Sequence, residues 1–331
     1  MLRSKVLSSL LENQQSVCVK AYSRLHLGFF DLNGASGRKF GSLGISLDNP
    51  MMQLVARKSA EVKVEGGDVK RTESVIAHFM KTLNASALQG MEVCVTKTIP
   101  AHAGLGSGTQ LALATGMAYS HLYALNLQPT QVAQITTRGA RSGIGIGTFL
   151  HGGLVVDGGR GDNTFTPPII ARASFPEAWR IILIMDAHHQ GLYGAQERKA
   201  FNQLAPASRQ QAEQLCWHVL MQALPAIAEE NLEKFGVAVQ ALQEATGDYF
   251  APAQGGRYAS TMVADVLRWL QAQGVQCVGQ SSWGPTGFAV VANQSEALQL
   301  ITLLKQQFVN RHQLSFVITS ACNQGATVVS S

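Results

Sequence analysis

The chain has 331 residues, of which 46% are hydrophobic and 14% charged, and this composition excludes a disordered or low-complexity protein. The length is too great for one ordinary domain, so we expect two domains. The formal net charge of +5 comes without a Lys/Arg-rich block. That distribution argues against a nucleic-acid partner and leaves solubility or the attraction of anionic substrates as the role of the charge.

Hydrophobic periodicity predicts a mixture of strands and helices in the first half of the chain. The predicted strands cover residues 17–22, 51–56, 61–65 and 91–98, and the predicted helices cover residues 68–84, 110–125 and 129–140. One Gly-rich stretch follows the strand that ends before Pro100, and a second covers residues 139–161. Glycine at this abundance indicates tight turns or backbone-lined binding loops.

The second half of the chain is richer in helix after an apolar strand predicted at residues 179–185. Further helices are predicted at residues 206–224, 227–245, 258–273 and 295–308, and further strands at residues 275–279, 287–292 and 315–320. The composition changes over residues 162–174, which predicts two domains of residues 1–165 and 166–331. Strands and helices mixed in both halves predict an α+β fold.

Cysteine usage and apolar run length bear on the location of the protein. The five cysteines are far apart and include no Cys-x-x-Cys pair, a pattern that favours reduced thiols over disulfides or a zinc site. The longest apolar runs are far shorter than a membrane span, and the N-terminal residues lack a secretory signal. We therefore expect a cytoplasmic protein that does not associate with a membrane.

A glycine-rich segment between a predicted strand and a predicted helix is the strongest functional motif. Its sequence, PAHAGLGSGT over residues 100–109, lets the backbone approach a ligand closely while helix amides point into the concavity. These features predict a site for phosphate or pyrophosphate. A turn that only packs a helix against a sheet is the alternative. The candidate phosphate-binding residues are Gly104, Leu105, Gly106, Ser107, Gly108 and Thr109.

The sequence PAHAGLGSGTQLALATG resembles the phosphate-binding motif of the GHMP superfamily of small-molecule kinases, with Gly108 where the kinases usually have a second serine. Residues 282–288 (SWGPTGF) resemble its C-terminal motif, and residues 21–28 (AYSRLHLG) resemble an N-terminal one. The resemblance implies a two-domain GHMP-kinase fold, with a ribosomal-protein-like N-terminal domain and a ferredoxin-like C-terminal domain.

One departure from the superfamily argues against kinase activity. Many GHMP kinases have a Ser-Gly-x-Asp segment, and residues 141–145 of this chain read Arg-Ser-Gly-Ile-Gly. Gly145 supplies no carboxylate to orient a nucleophile, a role that this aspartate has in many GHMP kinases, although some of these kinases manage without it. An ATP-dependent small-molecule kinase is therefore the alternative function, and a non-catalytic phosphate-binding protein is a third.

Longer stretches are similar to the β-ribofuranosylaminobenzene 5'-phosphate synthases, namely residues 23–33, 37–44, 138–147, 151–159 and 323–326. This resemblance implies transfer of the phosphoribosyl group of phosphoribosyl pyrophosphate to 4-aminobenzoate or 4-hydroxybenzoate. It also implies loss of carbon dioxide and pyrophosphate, and a place in tetrahydromethanopterin biosynthesis. Magnesium and a homodimer are further implications, whereas ATP is not expected. The acceptor and the metal ligands are not assigned by the sequence.

The chemistry of that transfer suggests roles for residues in the matching stretches. Arginine forks suit phosphate oxygens, His26 can donate a proton, and Asp31 can support positive charge on ribose or bind magnesium. Core packing, turns or surface charge are the alternatives for each. The candidate catalytic residues are Arg24, His26, Asp31 and Arg141, and the candidate substrate-binding residues are Arg38, Ser142, Gly143, Gly284 and Thr286.

Three further groups of side chains are weaker candidates. Lys39 and Arg138 lie in or beside Gly-containing loops and are additional candidate phosphate ligands. Phe29, Phe30 and Phe40 suit either an apolar wall for the aromatic ring or the protein core. His188 and His189 follow the apolar strand, but no third metal ligand has a recognisable spacing.

Overall fold

The computed structural model describes residues 15–84, 89–189 and 208–331, which form two β-sheets covered by helices. The strands are β1 (Ser16–Asp31), β2 (Phe40–Ser59), β3 (Lys63–Glu65), β4 (Gly90–Lys97), β5 (Leu154–Asp157), β6 (Ile169–Ala173), β7 (Arg180–Asp186), β8 (Val278–Gln280), β9 (Gly287–Val291), β10 (Leu314–Thr319) and β11 (Thr327–Ser330). The α+β class predicted from the sequence is confirmed.

The helices occur singly or in consecutive groups between these strands along the chain. They are α1 (Val69–Thr82), α2 (Ser107–Leu122), α3 (Pro129–Ile135), α4 (Ile144–His151), α5 (Arg209–Trp217), α6 (Leu224–Ala228), α7 (Leu232–Gln254), α8 (Thr261–Ala272) and α9 (Gln294–Gln307). A π-helical turn, His218–Ala223, joins α5 to α6. In the described ranges, no helix is both long and apolar enough to span a membrane.

The first sheet has seven strands and is built around the long hairpin of β1 and β2. Strand β1 pairs on its other edge with β11, while β2 pairs with β4 through its C-terminal half and with β5 through its N-terminal half. Strand β3 pairs with β4 and strand β6 pairs with β5, and each forms an edge of the sheet. The predicted domain division at residue 165 leaves β6 and β11 in the second part of the sequence, although both pair within the first sheet.

Helix α2 forms the centre of the first core because it is apolar on nearly every side. Its residues from Gln110 to Ser120 are all buried, and the helix packs on β1 and β2 and against α1, α3 and α4. A helix that is hydrophobic all round is stable only inside a protein. The glycine-rich segment that leads into α2 is therefore held by a rigid element.

The second sheet has four antiparallel strands in the order β10-β7-β9-β8 and is covered on both faces. Alternation along β7 sends Ile181 and Leu183 into the core shared with the first sheet and α7, while Ile182 and Ile184 join a separate core with α8 and α9. The period of two residues in a strand produces this division. Helix α7 consequently lies between the two sheets.

Most predicted elements are present, but several boundaries differ and four elements were not predicted. Strand β1 continues to Asp31, α3 ends at Ile135 rather than residue 140, and the helix predicted at residues 227–245 becomes α7. Residues 206–207 of another predicted helix lie outside the described residues. The unpredicted elements, α4, β5, β6 and β11, are short segments of four to eight residues, and α4 contains two glycines.

Candidate functional site

The glycine-rich segment forms a cradle at the head of α2. Gly104 and Gly106 have φ angles of 76° and 82°, in the left-handed region that glycine adopts without strain. Helix α2 begins at Ser107, and no side chain of the described residues caps it. Unpaired amides at a helix start attract anions, and the helix dipole adds to this attraction. The cradle is therefore an open anion-binding geometry.

Arg24 of β1 lies across this cradle. Its backbone amide donates to the carbonyl oxygen of Leu105 over 3.1 Å, and its guanidinium donates to the carbonyl oxygen of Gly104. A Cβ atom placed on Gly106 would lie 3.1 Å from Cγ of Arg24. Register shifts on either side of the Arg24–His26 stretch interrupt the ladder with β2, and such bulges re-aim side chains near functional sites.

A loop of the second sheet closes the other side of the cradle. The hydroxyl of Ser281 donates to the carbonyl oxygen of Gly104 over 2.7 Å and accepts the amide of His26 over 3.0 Å. A Cβ atom on Gly104 would lie 2.9 Å from the carbonyl oxygen of Gly284. Thr286 is fully buried behind this loop, and its hydroxyl has no hydrogen-bond partner among the described residues. The C-terminal motif thus meets the phosphate motif directly.

The second glycine-rich stretch is organised by a buried carboxylate, Asp157 at the end of β5. Its oxygens accept hydrogen bonds from the hydroxyls of Ser42 and Ser142 and from the amides of Gly143, at 2.9 Å, and Gly159, at 3.0 Å. Burial raises the pKa of Asp157, and these hydrogen bonds act in the opposite direction. Ser142 and Gly143 therefore hold the start of α4.

The two glycine-rich stretches touch each other. A Cβ atom on Gly145 would lie 3.0 Å from Cγ2 of Thr109, and the side-chain amide of Gln110 donates to the carbonyl oxygen of Gly145 over 2.8 Å. The aspartate found at position 145 in many GHMP kinases would need this space. The starts of α2 and α4 consequently share one region of the molecule.

His26 lies beneath this region, close to two arginines. Burial, followed by the positive charges of Arg24 and Arg141, lowers the pKa of His26 to about 3, so the imidazole is neutral near pH 7. Neither ring nitrogen has a hydrogen-bond partner among the described residues. The cavity beside His26 has a volume of about 10 Å³, roughly the space of one water. His26 does not line a substrate-sized space there.

Two more arginines face the head of α2. A Cβ atom on Gly108 would lie 2.4 Å from Nη2 of Arg71 and 3.4 Å from Nη1 of Arg138. Burial, together with repulsion from Arg71, lowers the pKa of Arg138. Sequence reasoning selected Arg138 as a weaker candidate and missed Arg71, because a single arginine in a predicted helix has no local signal of function.

Asp31 and Arg38 lie at the opposite end of the β1–β2 hairpin, about 20 Å along the strand from Arg24. The Asp31 carboxylate accepts the amides of Gly34, Ala35 and Ser36 at 2.6–3.0 Å, which holds the turn after β1. Burial alone would raise the pKa of Asp31, but the hydrogen bonds outweigh it and lower the pKa. Arg38 donates to the carbonyl oxygens of Gly158 and Gly159 at 2.6 and 2.8 Å.

The three phenylalanines predicted as a wall or as core are mainly packing residues. Phe29 and Phe30 are 6% and 9% exposed, and Phe29 packs in a cluster with Phe250 and Trp283 between the first sheet and α7. Phe40 packs against this cluster, with its ring centroid 5.8 Å from that of Phe29.

A cavity of about 640 Å³ adjoins the cradle on the side of α1. Its lining includes apolar side chains of β4, the loop that follows it and α2, together with Arg71 and Ser107 at the boundary with the cradle. The polar and charged part of the lining also includes Asp68, Lys70, Thr72 and Thr98, so the space has one apolar and one polar side, a combination that suits a small polar molecule with an apolar ring. The lining includes Met52, Val69, Val95, Ile99, Pro100 and Leu111.

The described side chains include no ready-made cluster of ligands for a divalent cation. No group of three or more His, Cys, Asp or Glu residues lies together within the described ranges. Both carboxylate oxygens of Asp31 are occupied by the turn, and the amide of His188 donates to Asp186 over 3.0 Å. Magnesium usually binds through one or two carboxylates plus substrate phosphates, so the predicted magnesium has no protein cage in the described residues.

Comparison with known proteins places this geometry in a family. The family model of the GHMP kinases N terminal domain matches residues 69–153, and that of the GHMP kinases C terminal region matches residues 223–310. The beta-ribofuranosylphenol 5'-phosphate synthase of Archaeoglobus fulgidus is 33% identical over 92% of this chain and 97% of its own. The synthase of the same name from Methanocaldococcus jannaschii is 33% identical over 82% of this chain and 88% of its own.

Solved structures share the fold at lower identity. A homoserine kinase from Cytophaga hutchinsonii superposes with a TM-score of 0.66 at 19% identity, over 95% of this chain and 97% of the kinase. A mevalonate 5-diphosphate decarboxylase superposes with a TM-score of 0.65 at 13% identity, over 95% of this chain and 97% of that one. The two-domain GHMP fold predicted from the sequence is confirmed by these similarities.

Proposed function

Since the chain belongs to the family of the beta-ribofuranosylphenol 5'-phosphate synthases, we propose that it transfers a phosphoribosyl group to an aromatic acid, with loss of carbon dioxide and pyrophosphate. The observation that carries the proposal is the uncapped, arginine-faced head of α2 in a chain similar to these synthases over nearly its whole length. A place in tetrahydromethanopterin biosynthesis, a need for magnesium and independence from ATP belong to the same proposal.

The cradle suits the departing pyrophosphate. As the bond between ribose C1 and the pyrophosphate oxygen breaks, its electron pair moves onto the leaving group, whose negative charge grows. Preorganised amides at the start of α2 and nearby guanidinium groups stabilise charge at that position. Arg24 is held across the cradle by its backbone and side-chain contacts with Leu105 and Gly104, so its charge is already in place.

The aromatic acid fits the apolar cavity beside the cradle. The ring carbon that bears the carboxylate forms a bond to ribose C1, and the bond from that carbon to the carboxylate then breaks. Its electron pair returns to the ring as carbon dioxide leaves. The side chains of Val95, Ile99 and Leu111 supply an apolar surface against which the aromatic ring packs. This placement replaces the phenylalanine wall considered from the sequence, since Phe29 and Phe30 are core residues.

The name of the relatives favours one of the two acceptors. A ribofuranosylphenol phosphate is the product expected when 4-hydroxybenzoate is the acid, whereas 4-aminobenzoate gives the aminobenzene. We therefore propose 4-hydroxybenzoate as the better substrate, with 4-aminobenzoate as the competitor.

The test is a turnover assay with acids labelled in the carboxyl carbon. Purified protein is incubated with phosphoribosyl pyrophosphate, magnesium chloride and either labelled 4-hydroxybenzoate or labelled 4-aminobenzoate, and released carbon dioxide and pyrophosphate are counted. We expect the two products in equal amounts. Release of carbon dioxide must stop when phosphoribosyl pyrophosphate is left out, because the carboxylate leaves only after the new bond forms.

The kinase alternative is tested on the same preparation. Under this proposal, magnesium-ATP gives no transfer of its γ-phosphate to small alcohols such as homoserine or mevalonate. Failure to release carbon dioxide from either acid, combined with γ-phosphate transfer, would reject the synthase reaction in favour of a kinase. Specific phosphate binding without any turnover would instead favour the non-catalytic alternative.

A further inference from the structure

Two arginines from different elements meet over one glycine at the head of α2. The guanidinium nitrogens Nη2 of Arg71 and Nη1 of Arg138 both lie within 3.4 Å of the point where a Cβ atom of Gly108 would stand. Arg71 comes from the first turn of α1, and Arg138 comes from the segment after α3. The absence of a side chain at position 108 gives both groups room beside the cradle.

Neither arginine of this pair forms a salt bridge in the described residues, and the Asp68 carboxylate beside Arg71 is engaged by the Arg71 amide over 3.1 Å. Among residues 15–84, 89–189 and 208–331, no ion pair includes Arg71 or Arg138, and buried Nε of Arg138 has no hydrogen-bond partner. Both groups lie near a helix start, where the dipole favours negative charge and disfavours a cation. Repulsion between them and burial both lower the pKa of Arg138. An anion bound between the two guanidinium groups would reduce their mutual repulsion and could accept hydrogen bonds from them.

The backbone fixes Arg138 in this position. Its amide donates to the carbonyl oxygen of Ala133 over 2.7 Å, and the amide of Thr137 donates to that of Gln134 over 3.1 Å, which is the Schellman ending of α3. Thr137 has a φ of 54°, a region that β-branched residues rarely adopt. The chain therefore accepts local strain at the residue that precedes Arg138.

We propose that Arg71 and Arg138 form a two-arginine clamp for the pyrophosphate of the substrate, and that glycine at position 108 is required because any side chain would displace Arg71. The inference rests on the proposed function for the identity of the anion. Planar guanidinium forks bind phosphate oxygens in pairs, so two forks on one diphosphate add both charge and geometry. Where GHMP kinases usually carry a serine, this chain uses the space for a cation.

The direct test measures binding of inorganic pyrophosphate by calorimetry at constant salt. We expect Arg71→Met and Arg138→Met each to weaken binding by about tenfold or more, since hydrogen bonds to charged groups are lost. Lys81→Met is the matched control, because it removes one charge from the exposed end of the same helix α1 and should leave binding unchanged. The double variant Arg71→Met/Arg138→Met should lose less than the product of the two single effects, because both groups bind one anion.

Gly108→Ala provides a test that does not remove a charge. Its Cβ would stand 2.4 Å from Nη2 of Arg71, the mobile end of a long side chain, so the guanidinium should move while the fold persists. We expect binding to weaken several-fold without a fall in the thermal transition, since alanine is a better helix former than glycine. A serine at position 108 should act in the same way.

The outcomes separate the clamp from the proposed reaction. Wild-type pyrophosphate affinity in Arg71→Met or in Gly108→Ala would overturn the clamp, even if carbon dioxide is released. Loss of binding in both arginine variants from a protein that releases no carbon dioxide would leave the clamp standing and reject the synthase reaction. Thermal transitions of every variant are recorded, so that weaker binding is assigned to the clamp only in folded protein.

Discussion

The two glycine-rich stretches of the chain have similar sequences and similar positions but opposite electrostatics. Both lead into a helix, and the starts of α2 and α4 touch through Thr109 and Gly145. At α4, the amide of Gly143 is already bonded to the carboxylate of Asp157 over 2.9 Å. At α2, no described side chain caps the helix, and the nearby charged groups are arginine guanidinium groups rather than a carboxylate.

This difference shows why a glycine-rich loop alone is a weak signal for ligand binding. Glycine provides the backbone conformation in both stretches, but only the stretch that lacks its own anion can accept one from a ligand. The carboxylate of Asp157 makes the second stretch a rigid support that carries Arg141 and Ser142. The first stretch remains open and is faced by arginines of other elements, which supply the positive charge that a diphosphate requires.

Removal of the Asp157 carboxylate, the internal anion of the second stretch, should have the largest effect on the stability of the protein. Asp157→Ala removes the acceptor of two amides and of the Ser42 and Ser142 hydroxyls, which keep their mutual hydrogen bond, so we expect the free energy of unfolding to fall by about 3 kcal/mol. Urea unfolding measures the change. The exposed Asp162→Asn is the matched control and should have wild-type stability. A loss below about 1 kcal/mol would contradict the supporting role of Asp157.

The pH dependence of stability tests the packing between the two stretches. His26 has a pKa of about 3 in the folded chain and an ordinary value of 6.5, so the unfolded chain binds more protons below pH 6.5. Stability should therefore fall as the pH drops from 6.5 towards 3. Between pH 7.5 and pH 5, wild type should lose about 2 kcal/mol more than His26→Leu, measured by urea unfolding. Equal losses would show that His26 is not held neutral.

Arg141→Lys tests whether the second glycine-rich stretch contributes to substrate binding at the head of α2. Lysine keeps the charge but loses the planar fork, so we expect about tenfold weaker apparent affinity for phosphoribosyl pyrophosphate, with a smaller change in kcat. Arg172→Lys is the control, since its guanidinium bonds to Ser174 and Asn323 away from the cradle. A changed kcat with unchanged KM would argue instead for a role in the transition state alone.

The smallest expected effect is a difference in stability between alanine substitutions at two glycines of the cradle, Gly106 and Gly108. Gly106→Ala places an alanine at a φ of 82°, so we expect a loss of about 1 kcal/mol in the free energy of unfolding. Gly108 lies in the first turn of α2, so Gly108→Ala should not lower the free energy of unfolding. Thermal and urea unfolding of the two variants in parallel measure the difference. Equal stability of both would mean that the left-handed turn at Gly106 is not retained.

Local pattern was sufficient for the elements whose residues carry a clear period. The alternation of residues 91–98 and the apolar run of residues 179–185 correspond to β4 and β7 within two residues. Strands β5, β6 and β11 were missed because each is short, and the main partners of β5 and β11, which are β2 and β1, lie far away in sequence. The extension of β1 to Asp31 was missed because residues 25–31 are all buried, so the alternation that marks a strand is lost there.

The structure places the candidate site residues in two separate regions, which motif similarity does not reveal. Arg24, His26 and Arg141 come together near the cradle, whereas Asp31 and Arg38 hold turns at the other end of the hairpin. A motif of consecutive residues along one extended strand spans about 20 Å, so its members cannot all reach one small ligand. Their roles as catalytic and substrate-binding residues remain predictions.

The amino-acid sequence by itself determined the α+β class through its hydrophobic period and the GHMP fold through its resemblance to that superfamily, and glycine spacing predicted the turn that leads into α2, because these are local properties of the chain. Only the tertiary structure decided which glycine-rich stretch is open, since that depends on a carboxylate of β5 and on arginines of other elements. Arg71 and Gly108 are 37 residues apart, and no local pattern connects them. Charges that act through space acquire their partners only when the chain has folded.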